Sequence, residues 1–421
     1  MASEFHLTLS DASNLFKIKY EKLSENVYNS ANVLLGRVKK SYNFTGKQLY
    51  IAVPQSFSGG VGSGSLPSAN TAKYSEAQIF AKKMYAVVEV DRETIKASLS
   101  SEGAFVQATK EVVKKGVESF MRNLSRALFN DGSGSLGLSE AVSNSTTIGI
   151  SDFKEANLEE RDLVDIITES LDVNGDPAAD VTVATQREIL TVVDHGDGTG
   201  AITISGAAVT ISAPTNPDGS LVNPNDQRTK IFMQNSKDND PQGLKSLDAT
   251  SGKLFGIDVQ RRWKAQQKAA AGAAISTDML NEMMLKIKKA SGKSPNLIVC
   301  SFKQYEKILN LLEDQKRYTV ATRAGLKSKS GADISFSGVE FMSVDGPIGI
   351  FPERFVEDDR IYLLNDANIH IYHRPDFGWH DDDGTVFLRV AGQDKYEARY
   401  GGYLECYINP CFHGVISGLS V

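Results

Sequence analysis

Residues Ala104–Asn130, AFVQATKEVVKKGVESFMRNLSRALFN, followed at once by DGSGSLG at positions 131–137, decide how the rest of the chain is read. Phe105, Ala108, Val112, Val113, Val117, Phe120, Met121, Leu124 and Leu128 recur at spacings of three and four. That spacing predicts a long helix with one apolar face. Glu111 with Lys115, and Glu118 with Arg122, stand four residues apart with the acid first, which supports the polar face. At 1.5 Å per residue the rod runs about 40 Å, long enough to serve as a spine. The Asp131-Gly132 and Ser133-Gly134 pairs end it, because glycine accepts the left-handed geometry of a helix C-terminus and its turn.

Gly132, Gly134 and Gly137 also spell GxGxxG. A dinucleotide loop of that spelling follows a strand and opens a helix, so that the helix N-terminal amides face a pyrophosphate. Here the loop closes a helix, and a helix stop is the better reading. Gly292-Lys293-Ser294 ends like a phosphate-binding loop, but Ile287 stands where its first glycine belongs. Asp172, Asn174 and Asp176 begin like a calcium loop, yet Pro177 takes the place of the required glycine.

Upstream of the spine, Asn14–Lys40 carries Phe16, Leu23, Val27, Leu34 and Val38 among lysines and reads as an amphipathic helix or helix pair, either an arm or a helix packed on its own domain. Lys47–Met84 reads as two strands joined by the glycine-rich tip around 59–64, an extended hairpin. An isolated hairpin is marginal in water. This one carries Leu49, Tyr50, Ile51, Phe57, Ile79, Phe80 and Tyr85, so a neighbouring subunit or an internal domain must cover them. Downstream, Asn157–Glu160 resembles a capping box and predicts a helix through Leu163, Val164, Ile166, Ile167 and Leu171. Residues 181–235 read as strands and turns, compatible with an inserted β subdomain. Met279–Ile287, Leu297–Cys300 and Tyr305–Leu312 predict a helix, a buried strand and a helix, a compact mixed domain. From Val339 the pattern is mainly β; Tyr396, Ala398, Tyr400, Leu404, Cys406 and Ile408 alternate with polar residues as one long half-buried strand.

The 421 residues hold 46 Lys plus Arg against 52 Asp plus Glu, a formal net charge of -6, which disfavours a dedicated nucleic-acid reader. Cys300, Cys406 and Cys411 form no even framework, and no apolar run is long enough to span a bilayer, which points to a reducing cytosol. His370, His373, His380 and Asp381–Asp383 bring metal-capable side chains into one span, but His370 and His373 would face opposite sides of a strand. No GxSxG elbow or HExxH pair is present, so the chain reads as no enzyme, with no cofactor and no metal.

The order of basic arm, glycine-tipped hairpin, spine helix, mixed domain and final strands resembles the major capsid proteins of tailed bacteriophages, whose shell fold herpesvirus capsids and encapsulins share. Asn130-Asp131-Gly132-Ser133-Gly134 is similar to the loop that ends the family's spine helix. Tyr396–Gly402 with the later Pro410 and Val415-Ile416 is similar to its terminal strand. Leu297–Tyr318 looks like the strand and helix of the domain at the capsomer centre. The resemblance implies an α+β fold with an N-terminal arm at 1–46 and an extended hairpin at 47–86. A peripheral domain at 87–155 would hold the spine helix 104–130. An axial domain at 156–375 would carry a β insertion at 176–250, and terminal strands at 376–421 would return to both domains.

It implies self-assembly into hexamers and pentamers of an icosahedral shell around double-stranded DNA, located in the virion capsid and assembled in the bacterial host cytoplasm. The short arm implies a separate scaffolding protein. A portal, a decoration protein and non-specific packaged DNA complete the expected partners, with no membrane. The expected inter-subunit contacts are Leu49, Ile51, Phe57, Leu66, Lys73, Ile79 and Phe80. An encapsulin-type cargo shell is the alternative within the fold; a metal-dependent enzyme or a β-rich binding protein is the alternative outside it.

Overall fold

The computed structural model describes residues 33–41, 44, 46, 48–56, 73–91, 102–169, 180–196, 198–211, 229–260, 262–314, 324–327, 333–336, 339–343, 346–374, 378–380 and 388–421. Four α-helices stand among them: α1 (Val33–Arg37), α2 (Glu102–Phe129), α3 (Thr277–Ser291) and α4 (Phe302–Asp314). Strands make up most of the remaining regular structure. The chain divides into two compact units, one of residues 1–128 and 244–421, the other of residues 129–243.

In the first unit, α2 is the expected spine, 28 residues and therefore about 42 Å long. Val117, Phe120, Met121, Leu124 and Leu128 are buried, the apolar stripe read from their spacing. On the polar side Lys114 pairs with Glu118 at 3.6 Å. The stripe faces a sheet in which Lys395–Ile408 pairs antiparallel with Lys82–Asp91 on one side and Ile369–His373 on the other. The Phe120 and Tyr400 rings meet edge-on at 5.3 Å. At Gly116 the helix comes so near the sheet that an added Cβ would lie 2.4 Å from Val88 Cγ2.

The arm departs from expectation. Within the described residues the helix expected over Asn14–Lys40 is helical only at α1, and Lys39–Ser41 is a strand running parallel to Ile369–His373. That pairing, made with residues more than 300 positions away, overrides the local helical pattern. The part of the arm before Val33 lies outside the described residues.

The mixed domain has the expected helix, strand and helix around a six-stranded sheet. Its order is Gln266–Ala269, Gly414–Ser417, Ile361–Leu364, Leu297–Cys300, Gly346–Pro352, Val339–Ser343. Leu297–Cys300 lies between a parallel and an antiparallel neighbour, and all four of its residues are buried. Leu280, Met283, Met284 and Ile287 of α3 pack on this sheet with Ile308 of α4. Ser276 Oγ accepts the Met279 N–H at 3.2 Å to start α3. Gly292, at φ 74°, ends α3 in the left-handed conformation and returns its N–H to Lys288 O. The Gly-Lys-Ser run is thus a helix stop.

The second unit is a six-stranded sheet ordered Ser135–Leu138, Thr229–Met233, Leu163–Thr168, Val181–Asp194, Gly200–Ile204, Thr147–Ile150. Ile148, Ile150, Val164, Ile166, Ile202, Ile204 and Ile231 fill its core. The insertion expected at 176–250 falls mostly inside a unit that begins earlier, where the spine helix ends. The helix expected from Asn157 through Leu171 is absent over the described residues. A short 3-10 turn, Glu155–Asn157, precedes the strand Leu163–Thr168. Pairing with Val181–Asp194 and Thr229–Met233 makes this segment a strand, and buried Asp165 lies in its middle. Its carboxylate accepts the backbone N–H groups of Gln186 and Asn235, each at 2.8 Å, and both donors have positive φ. It thereby fixes two irregular turns from the middle of the sheet.

Candidate assembly surface

The hairpin strands Gln48–Ser56 and Lys73–Phe80 pair antiparallel, with Leu49 opposite Ile79 and Ile51 opposite Ala77. Side chains alternate across a strand, so the pairing separates two faces. Leu49, Ile51, Val53, Ala77 and Ile79 form the inner face. They pack with Phe44, Leu254, Ile257, Trp263 and Tyr407 of the same chain. Trp263 is fully buried and donates Nε1–H to Leu254 O at 3.0 Å. Gln78 N–H reaches Phe255 O at 2.8 Å. The subunit itself therefore covers the inner face along the base of the hairpin.

Of the expected contact set, Ile79 has no exposed surface and belongs to the chain's own core, while Leu49 and Ile51 are half-buried against the same cluster. Phe80 is on the other face and remains 43% exposed. Lys73 sits in the ladder opposite Ser56. Phe57 and Leu66 lie outside the described residues.

The outer face carries Tyr50 and Tyr74, 52% and 60% exposed, together with Ala52, Pro54, Glu76 and Phe80. Tyr50 OH donates to Gln48 Oε1 at 2.6 Å. The expected contact set omits both tyrosines, although strict alternation with Leu49, Ile51 and Val53 places Tyr50 outward. A second exposed apolar group lies on the mixed domain, where Phe302 and Leu309, seven positions apart on α4, face outward. Ser301 Oγ accepts the Gln304 N–H at 3.2 Å at the start of that helix. The Gln304 side chain then bonds Asp358 O and Ser420 O, each at 2.8 Å. The helix carrying Phe302 and Leu309 is therefore rigidly seated.

The other chemistry-bearing residues are held inside the fold. Burial pushes the Cys300 thiol up to about 12 and also raises Cys406 and Cys411. His370 and His373 are both lowered, first by burial and then by the nearby Lys39 and Lys40 respectively. His413 is fully buried, and its Nδ1 accepts the Asn365 N–H at 3.2 Å; burial takes its pKa down to about 3. No group of three metal-capable side chains occurs among the described residues. No helix among them is long and apolar enough to cross a membrane.

Residues 223–378 match the family model for the SU10 major capsid protein. That match covers less than half of the 421 residues. The matched span takes in all of α3 and α4 and five of the six strands of the mixed sheet, the exception being Gly414–Ser417. Among solved structures, the cyanophage A-1(L) capsid asymmetric unit is similar at 10% identity and a TM-score of 0.49, over 91% of each chain. The holo-SrpI encapsulin complex of Synechococcus elongatus PCC 7942 is similar at 9% identity and a TM-score of 0.45, over 92% of this chain and 87% of that one. Mycobacterium phage Bobi is similar at 9% identity and a TM-score of 0.40, over 91% and 89%. No curated protein matches the sequence.

Proposed function

We propose that this chain is a major capsid protein of a tailed phage that assembles into hexamers and pentamers centred on the mixed domain, and that the outer face of the hairpin seats on a neighbouring subunit. The shell encloses double-stranded DNA without gripping it, in keeping with the net charge of -6. A separate scaffolding protein, a portal and a decoration protein act with it, and the subunit itself catalyses nothing. The observation that carries the reading is the split hairpin: its inner face is occupied by the subunit, while Tyr50, Tyr74 and Phe80 stay exposed on the outer one. Tyrosine and phenylalanine are among the residues enriched in the cores of protein interfaces.

The test is a triple variant, Tyr50→Ser, Tyr74→Ser and Phe80→Ser. The free subunit should unfold within about 1 kcal/mol of the parent, since exposed positions contribute little. Shell formation, seen by electron microscopy, should fall at least tenfold. Normal shells from the variant would remove the outer face from the assembly surface.

A further inference from the structure

In the sheet under the spine helix, Lys82–Asp91 runs antiparallel to Lys395–Ile408, with Lys83 opposite Tyr403, Tyr85 opposite Gly401 and Val87 opposite Arg399. Val88 and Tyr400 meet α2, so by alternation Lys83, Tyr85 and Val87 line the face turned away from it. Lys83 is exposed there, and Tyr85 and Val87 keep 37% and 54% of their surface. Charge on this face is uneven. At one end Lys395 pairs with Glu89 at 3.0 Å, and Arg399 pairs with Glu397. At the other end the Arg374 guanidinium lies over the Tyr403 ring at 4.4 Å, and Lys83 Nζ approaches the same ring at 5.8 Å. Arg374 also donates to Gly46 O at 2.7 Å. Neither Lys83 nor Arg374 has a carboxylate partner among the described residues.

The outer face of the hairpin carries the opposite charge. Glu76, opposite Ala52, is exposed and has no cation partner among the described residues. Tyr74 stands two positions before Glu76 on the same face, as Tyr85 stands two positions after Lys83. Each surface therefore presents an aromatic ring and a charge about 7 Å apart along a strand, with opposite signs. The two cannot meet within one subunit. Lys73–Phe80 is followed at Lys82 by the next strand, so Glu76 and Lys83 lie about 23 Å apart along nearly continuous extended chain.

We infer that the hairpin's outer face docks, on a second copy of this chain, against the sheet face around Lys83, with Glu76 meeting Lys83. This rests on the reading that the outer face seats on a neighbour, and it names the surface that receives it. Each contact then joins two different patches, the head-to-tail type that closes into rings. The opposite charges set the register, while Tyr85 and Val87 give Tyr74 and Phe80 an apolar ground.

Charge exchange tests this. Glu76→Lys and Lys83→Glu, both at exposed positions, should leave the free subunit folded by circular dichroism. Each should lower the yield of shells in electron microscopy about tenfold. The double variant again places an acid against a base at every contact. An equal mixture of the two single variants does so too, because each hairpin finds its opposite charge on the other kind of subunit. Both should bring shells back to within about threefold of the parent. Single variants that assemble like the parent overturn the pairing. A double variant and a mixture that stay as low as the singles also overturn it, and that is the result a nucleic-acid phosphate seated on Lys83 would give. The triple serine variant tests the hairpin's outer face without involving Lys83, so the two readings fail separately.

Discussion

Replacing Gly116 by alanine in the spine helix has two opposing consequences, and the structure decides between them. An interior glycine normally costs a helix about 1 kcal/mol relative to alanine, so helix propensity alone favours the change. The added Cβ, however, would stand 2.4 Å from Val88 Cγ2, and Val88 is buried between helix and sheet. Forcing a methyl into a filled contact costs about 1–3 kcal/mol. Gly116→Ala should therefore destabilise the subunit by about 1 kcal/mol net. Val88→Ala removes two buried carbons and should cost about 2 kcal/mol by itself. In that background the clash is gone and the propensity gain remains, so Gly116→Ala should stabilise by about 1 kcal/mol. The sign reversal is a coupling of about 2 kcal/mol, well outside what independent sites show. Urea unfolding of the four free subunits, followed by circular dichroism, measures it. If Gly116→Ala stabilises both backgrounds equally, the helix does not rest on Val88 and the seating of the spine is wrong.

Trp263→Ala, which empties the fully buried centre of the cluster under the hairpin, should cost about 3–5 kcal/mol and speed hydrogen exchange at Leu49–Val53 before the mixed domain responds; a loss under 1 kcal/mol would contradict the packing. His413 is held neutral by burial, with a folded pKa near 3 against an ordinary 6.5. The unfolded chain takes up the proton first as pH falls, so this contribution is full above about 6.5 and declines below it, by roughly 3 kcal/mol at pH 4. Denaturation at pH 7 and pH 4 should show His413→Gln, less stable at pH 7, losing less on acidification than the wild type.

The elements legible in the sequence were those whose burial repeats locally. The Val117–Leu128 stripe and the helix through Met279–Ile287 each carry their own period, and each stands in the structure; the strand read from Tyr396 to Ile408 also stands, but Leu404–Ile408 are buried on both faces, Glu405 and Tyr407 included. Leu163–Thr168 misled for the opposite reason. Six residues with apolar side chains at 163, 164, 166 and 167 satisfy either period, and the capping-box spelling ahead of them favoured a helix. Pairing with Val181–Asp194 and Thr229–Met233 decided for a strand, and neither partner is adjacent in sequence. The hairpin was legible as a pair of strands, but whether a neighbour or its own domain covers its apolar residues was not. Its cover arrives from Leu254–Trp263 and Tyr407, about 200 and 350 positions away. The buried carboxylate of Glu353, which accepts the Val33 N–H at 2.8 Å, carried no local signal at all, because its partner stands at the other end of the chain.

The central claim is that this chain builds a shell. Electron microscopy of the purified full-length protein, alone and with a scaffolding protein, tests it most directly, with sedimentation to weigh the particles. The account predicts capsomers, tubes or closed shells of repeating sixfold and fivefold units. A protein that stays monomeric under every condition would contradict it.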